Sequence, residues 1–187
     1  RQSTSDLLGL RLGLNFLGGF HAEGNPIKVD RTQVHFLGHS LGAITGINFM
    51  ALTNTSLDPQ VDPLFAVKTN VQAMPGVMMA NFLLESGAFG DVVKSGLTFA
   101  ASTDFQGYVA VKHPTGHTET DLVIAYREFY AALSAEQQGG LNGTFAQFAF
   151  AAQTVTDSGD PANYAAMMAA TNTPTHLIEV IGNGSDN

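Results

Sequence analysis

The stretch TQVHFLGHSLG, Thr32–Gly42, decides how this chain is read. Thr32 to Leu37 is β-rich and mostly apolar and predicts a short buried strand. The pattern breaks at Gly38, and from Leu41 to Leu52 it turns helical, with Ile44, Ile47 and Phe49 to Leu52 apolar. Between the two lies Gly38-His39-Ser40-Leu41-Gly42, which fits G-x-S-x-G with a strand before it and a helix after it. A strand that reverses straight into a helix forces its central residue into strained geometry, so the neighbouring positions must be small. Gly38 and Gly42 are expected to supply that room. Ser40 then projects as a nucleophile from a helix N-terminus, whose unpaired N–H groups favour developing negative charge. The N–H of Leu41 becomes one oxyanion donor, worth roughly 3–4 kcal/mol. His39 points away from the serine hydroxyl and is not the base; it lines the substrate pocket or packs.

Outward from this turn, Leu7, Leu10, Leu14 and Leu17 give Ser3 to Leu17 a helical spacing, with Ser5-Asp6 as its cap. Val67 to Met74 predicts a second strand, closed by Pro75-Gly76, and His176 to Ile181 a third. Thr98 to Thr120 reads as loop, with Gly107, Pro114 and Gly116. Leu122, Tyr126, Phe129, Tyr130 and Leu133 mark the clearest amphipathic helix; further helices fit Thr144 to Val155 and Pro161 to Ala170. Strands separated by helices predict an α/β fold with a parallel sheet and crossover helices.

Composition narrows the function. The 187 residues are 44% hydrophobic and 13% charged, against about 25% charged in ordinary soluble domains. The formal charge is −8, and no run of Lys or Arg offers a footprint for nucleic acid or an anionic membrane. The absence of cysteine excludes thiolate zinc, a disulfide scaffold and thiol catalysis. No apolar run approaches the roughly 18 residues of a membrane span.

The run VHFLGHSLGAITG, Val34–Gly46, resembles the elbow of bacterial extracellular lipases and phospholipases of the α/β-hydrolase superfamily. AMPGVMMANFLLESGAFG (Ala73–Gly90) and AAQTVTDSGDPANYA (Ala151–Ala165) are similar to stretches of one branch, the large secreted or surface lipases called virulence-factor lipases. The resemblance spans roughly Arg31 to Gly182. It implies hydrolysis of lipid esters without a cofactor or metal, a lipid or acyl-ester substrate, transient contact with a membrane surface, and an extracellular or cell-surface location. Only Ser40 and Leu41 transfer from it directly.

In such enzymes the acid and then the histidine follow the serine. Asp186 is the carboxylate in the loop after the third strand and is the candidate acid. No histidine follows it: His21 and His35 precede the serine, His113 and His117 lie in a Pro/Gly loop, and His176 lies on the third strand. Only 39 residues precede Ser40, room for one βα unit at about 30 residues each. The chain is therefore expected to be the central and C-terminal part of one α/β-hydrolase domain (1–187), with the remainder of its own polypeptide as a partner.

Val77 to Phe99, rich in Met and Phe and broken by Gly87, Gly90 and Gly96, is expected to form a lid. Met78, Met79 and Phe82 are its candidate substrate contacts, since methionine fills irregular apolar pockets; core packing is the competing account. His113-x-x-x-His117 has metal spacing, but Pro114 and Gly116 argue for a solvated loop. The Asp157–Pro161 run is better explained by a turn with a helix cap at Asp160 than by calcium. Two readings compete with the lipid esterase: an esterase or thioesterase for small acyl substrates, and a non-catalytic lipid-binding module on a hydrolase scaffold.

Overall fold

A computed structural model describes residues 1–19, 23–26 and 28–181 of this α/β chain. The chain divides into two compact units, Arg1–Val77 with Asp157–Asn187, and Met78–Thr156.

The first unit holds a three-stranded parallel sheet in the order β1-β2-β3, from β1 (His35–His39), β2 (Thr69–Ala73) and β3 (Thr175–Ile178). Its helices are α1 (Gln2–Gly13), α2 (Leu41–Thr53), α3 (Asp62–Phe65) and, after the second unit, α9 (Ala165–Ala170). Leu37 pairs in register with Val71, and Val71 with His176. Helix α2 is apolar around most of its girth, so it is an interior helix. It buries Ile47, Phe49 and Met50 between the sheet, α1 and α9. Phe36 of β1 stacks at 5.2 Å on Phe49 of α2. That approach depends on Gly46, where a Cβ would fall 2.4 Å from the Phe36 ring and 2.7 Å from Gln72 Oε1. By strand alternation Leu37 faces the opposite side of the sheet from Phe36, and it is 71% exposed.

Two polar arrangements hold this unit. Asn70 and Gln72 of β2 are fully buried; Gln72 donates to Asn70 Oδ1 at 2.8 Å, and Asn70 donates to Thr175 Oγ1 of β3 at 3.4 Å. Arg11 of α1 is only 2% exposed. Its guanidinium donates to the carbonyls of Ala66 (2.9 Å), Arg31 (3.2 Å) and Pro63 (3.4 Å) and to Asn15 Oδ1 (3.4 Å). One fork-shaped donor thus ties the first helix to the segments that lead into β1 and β2.

The second unit is wholly helical outside its connections: α4 (Met79–Glu85), α5 (Gly90–Ala101), α6 (Thr103–Lys112), α7 (Glu119–Ala132) and α8 (Ala135–Thr156). Its core gathers Leu84, Phe105, Val109, Ala125, Tyr126, Phe145 and Ala149. Phe105 meets Phe129 at 5.0 Å and lies edge-on to Tyr126 at 6.4 Å. Burial pushes the Tyr126 hydroxyl pKa up to about 12, assisted by Tyr130 and Asp91. Thr118 and Asp121 form a reciprocal capping box at the start of α7, and those hydrogen bonds hold the Asp121 carboxyl below its usual range.

Several boundaries differ from the sequence reading. Helix α1 begins at Gln2 with Arg1 as its N-cap, not at the Ser5-Asp6 pair, and the first strand starts at His35 and runs on to His39. Most of the expected loop from Thr98 to Thr120 is helical, because Ser102 turns extended and caps α6 by accepting from Phe105 N–H at 3.1 Å. Besides Ser102, residues 113–118 stay outside helices, as Pro114 and Gly116 require. Helix α8 starts nine residues before Thr144, at Ala135, and runs through Gly139, Gly140 and Gly143, its packing outweighing the roughly 1 kcal/mol each glycine costs. The segment from Val77 to Phe99 belongs, from Met78 on, to this larger helical unit. No helix among the described residues is long and apolar enough to cross a membrane.

Replacing Arg11 by Met leaves three carbonyls short of a donor. The substitution is expected to lower the unfolding free energy by about 3 kcal/mol, read from the urea midpoint by circular dichroism.

Candidate functional site

At the junction of β1 and α2 the chain has no loop. Ser40 alone separates the last strand residue, His39, from the first helical one, Leu41. Its N–H continues the sheet ladder to Ala73 O at 2.9 Å, while its carbonyl accepts from Ala43 N–H (2.8 Å) and Ile44 N–H (3.0 Å). Meeting both demands puts Ser40 at φ 51°, ψ −117°, a region that L residues avoid at a cost on the order of 1–3 kcal/mol. The side chain is exposed and makes no capping hydrogen bond to its own helix.

The two glycines of the pattern do different work. A Cβ on Gly38 would stand 2.6 Å from Gly42 O and 2.9 Å from Ala43 Cα, both backbone atoms. At Gly42 a Cβ would meet nothing within 4 Å beyond its chain neighbours and its own helix backbone. The tightness expected of both positions therefore resides in Gly38, and Gly42 contributes its close-passing carbonyl. Leu41 and Gly42 open the helix, so their N–H groups have no carbonyl one turn back to bond. These donors and the Ser40 hydroxyl lie at the C-terminal edge of a parallel sheet, where α/β sheets form their ligand crevice.

Next to Ser40 on the adjoining strand is Met74, which the sequence reading took as the end of the second strand. It lies one residue past β2, donates its N–H to Ile178 O at 2.7 Å, and has φ 54°. A positive φ in a side-chain-bearing residue costs about 1–2 kcal/mol, and Pro75 further restricts the residue before it toward extended backbone. Met-Pro-Gly immediately after a strand marks the turn in the sequence, though not the conformation of Met74.

The remaining candidates are spread apart. His39 is exposed beside Ser40. His35 starts β1, five residues or roughly 16 Å from Ser40 along the strand, and its Nδ1 bonds Thr69 Oγ1 at 2.7 Å. His176 aligns with Val71 and Leu37, two strands across and three residues back from Ser40, roughly 14 Å. Among the described residues of this unit, nothing is hydrogen-bonded to the Ser40 hydroxyl. Asp186 and His21 lie outside the described residues, and β3 stops at Ile178 rather than Ile181. Asp160 caps the turn after it, accepting from Ala162 N–H at 2.9 Å.

In the helical unit, Met78 precedes α4 in left-handed conformation, and Met79 and Phe82 belong to α4. Met78 and Phe82 are each about half exposed. His113 follows the end of α6, and the His117 ring lies 5.1 Å from that of Phe99.

Comparison of the chain with family models, with curated proteins and with solved structures returns no match.

Two measurements check the backbone geometry. Gly38→Ala is expected to destabilise the protein by about 2 kcal/mol, while Gly42→Ala stays within about 0.5 kcal/mol. Ser40→Gly is expected to unfold at higher denaturant than Ser40→Ala, by about 1 kcal/mol, because glycine relieves the positive φ.

Proposed function

We propose that this chain carries the nucleophile of a serine hydrolase of the α/β-hydrolase type acting on carboxylic esters of lipids, with Ser40 as that nucleophile. The observation that carries the reading is the backbone of Ser40: φ 51°, ψ −117° between a strand and a helix with no loop, hydroxyl exposed. Strain of that kind is retained where the surrounding structure enforces it, and it clusters at active sites. Three further features support the reading. The strands run parallel in the order β1-β2-β3; Leu41 N–H is free at the helix start; and an all-helical segment lies in the sequence between β2 and β3.

In the reaction, Ser40 Oγ bonds to the ester carbonyl carbon as its proton passes to a histidine base, and Leu41 N–H bonds the oxyanion. The C–O bond to the alcohol then breaks, and the alcohol leaves with that proton. Water, deprotonated by the same base, attacks the acyl-enzyme to release the acid and restore the serine. The reading gives the acid role to Asp186, after β3, and needs a histidine and a second oxyanion donor that the described residues of the sheet unit do not bring to Ser40. By the resemblance of Val34–Gly46, the enzyme works outside the cell or on its surface.

The test uses the natural full-length protein and its Ser40→Ala variant. A fluorophosphonate probe is expected to label the wild type at Ser40. The variant is expected to lose at least about a thousandfold in kcat on nitrophenyl esters with an unchanged circular dichroism spectrum. Wild-type turnover in a clean variant sinks the assignment, and a wild type that binds lipid without being labelled points to the non-catalytic module.

A further inference from the structure

Met74 breaks two steric preferences at once, a positive φ and a position before proline. Asn172 has nearly the same φ, 53°, but asparagine tolerates it through its short polar side chain, whereas methionine has no such compensation. The side chain is open to solvent in part, with Met74 36% exposed. Its position, however, is closely fixed. Ala73 O receives the Ser40 N–H at 2.9 Å, Met74 N–H reaches Ile178 O at 2.7 Å, and His39 pairs with Ala73. Continuing that register by one residue sets Met74 beside Ser40, with their Cα atoms about 5 Å apart. Because the Met74 N–H is spent on Ile178, the residue cannot serve as the second oxyanion donor. What it offers the crevice is its side chain.

We propose that Met74 is the specificity-determining residue of this site, its thioether side chain forming the wall against which the acyl chain of the ester lies; this rests on the serine-hydrolase reading of Ser40. An unbranched, polarizable side chain with three rotatable bonds moulds itself to a flexible alkyl chain better than a β-branched one does. Held beside the reacting carbonyl by a backbone that both neighbouring strands pin, it selects for medium or long acyl groups over acetyl.

The experiment compares wild type, Met74→Gly and Met74→Asn in the natural full-length protein on nitrophenyl acetate, butyrate and octanoate, with fluorophosphonate labelling beside each assay. Glycine and asparagine both accept the positive φ, so at least one variant is expected to fold with wild-type thermal stability or better. Ser40 is still labelled in both, and the octanoate-to-acetate ratio of kcat/KM falls about tenfold. A ratio unchanged in the folded variants, or an equal loss on every ester, overturns the role of Met74 and leaves Ser40 as nucleophile. A wild type that is neither labelled at Ser40 nor active on any ester overturns both readings.

Discussion

A parallel strand that becomes a helix without a loop asks one residue to belong to two hydrogen-bonding systems. The N–H of Ser40 still obeys the sheet, reaching Ala73 O, while its carbonyl already obeys the helix and receives Ala43 and Ile44. These directions are incompatible at negative φ, and the backbone resolves the conflict by rotating to the region where glycine is ordinarily found. Much of the sheet unit is arranged around that rotation. Gly38 must be bare because Gly42 O now passes 2.6 Å from where its Cβ would be, and Gly46 must be bare because α2 leaves the turn pressed onto Phe36. The same turn keeps the Ser40 side chain out of the core while the helix behind it is buried. Local strain and a well-packed interior are thus two ends of one constraint.

The sheet that anchors this turn is unusual in what it buries. On the α2 side, β2 presents Asn70 and Gln72, fully enclosed, and on the other side β1 presents Leu37, largely exposed. Parallel strands are ordinarily covered on both faces and apolar throughout. The buried amides bond along β2 and across to Thr175 of β3, and the second of these contacts exists only when Asn70 lies opposite Thr175. An apolar strand could slide against its neighbour and still bury carbon; this one loses a hydrogen bond in a low-dielectric interior if it slides. Since the Met74 N–H reaches Ile178 through that same register, the amide of Asn70 helps to place Met74 from several residues away.

What could be read in the sequence was what is local. The strand, turn and helix around Ser40 declare themselves within about a dozen residues, because hydrophobic period and small residues change together at Gly38. The stripe of Leu122, Tyr126 and Phe129 made α7 equally plain. Elements that rely on distant partners were harder. Helix α8 accepts three glycines because Phe145 and Ala149 pack into the aromatic core, and α6 hides because Phe105 and Val109 are its only buried residues. The elbow pattern pointed equally to Gly38 and Gly42; only the built backbone shows which of them needs to lack a side chain. The conformation of Met74 was not legible, since nothing in Met-Pro-Gly states that the methionine itself takes the positive φ. The partners of Ser40 are set by long-range topology, which no local pattern encodes.

Arg11 gives this unit a fastening of a different kind from a salt bridge. Its partners are three carbonyls and an amide, none of which titrates, and guanidinium stays protonated in any ordinary solution even though burial moves its pKa downward. A carboxylate pair in the same place would release its hold as acid protonated it. Here the folded and unfolded states carry the same proton from acid to moderately alkaline conditions and differ only in strong base. The hold of α1 on the segments leading into β1 and β2 is therefore indifferent to acidification.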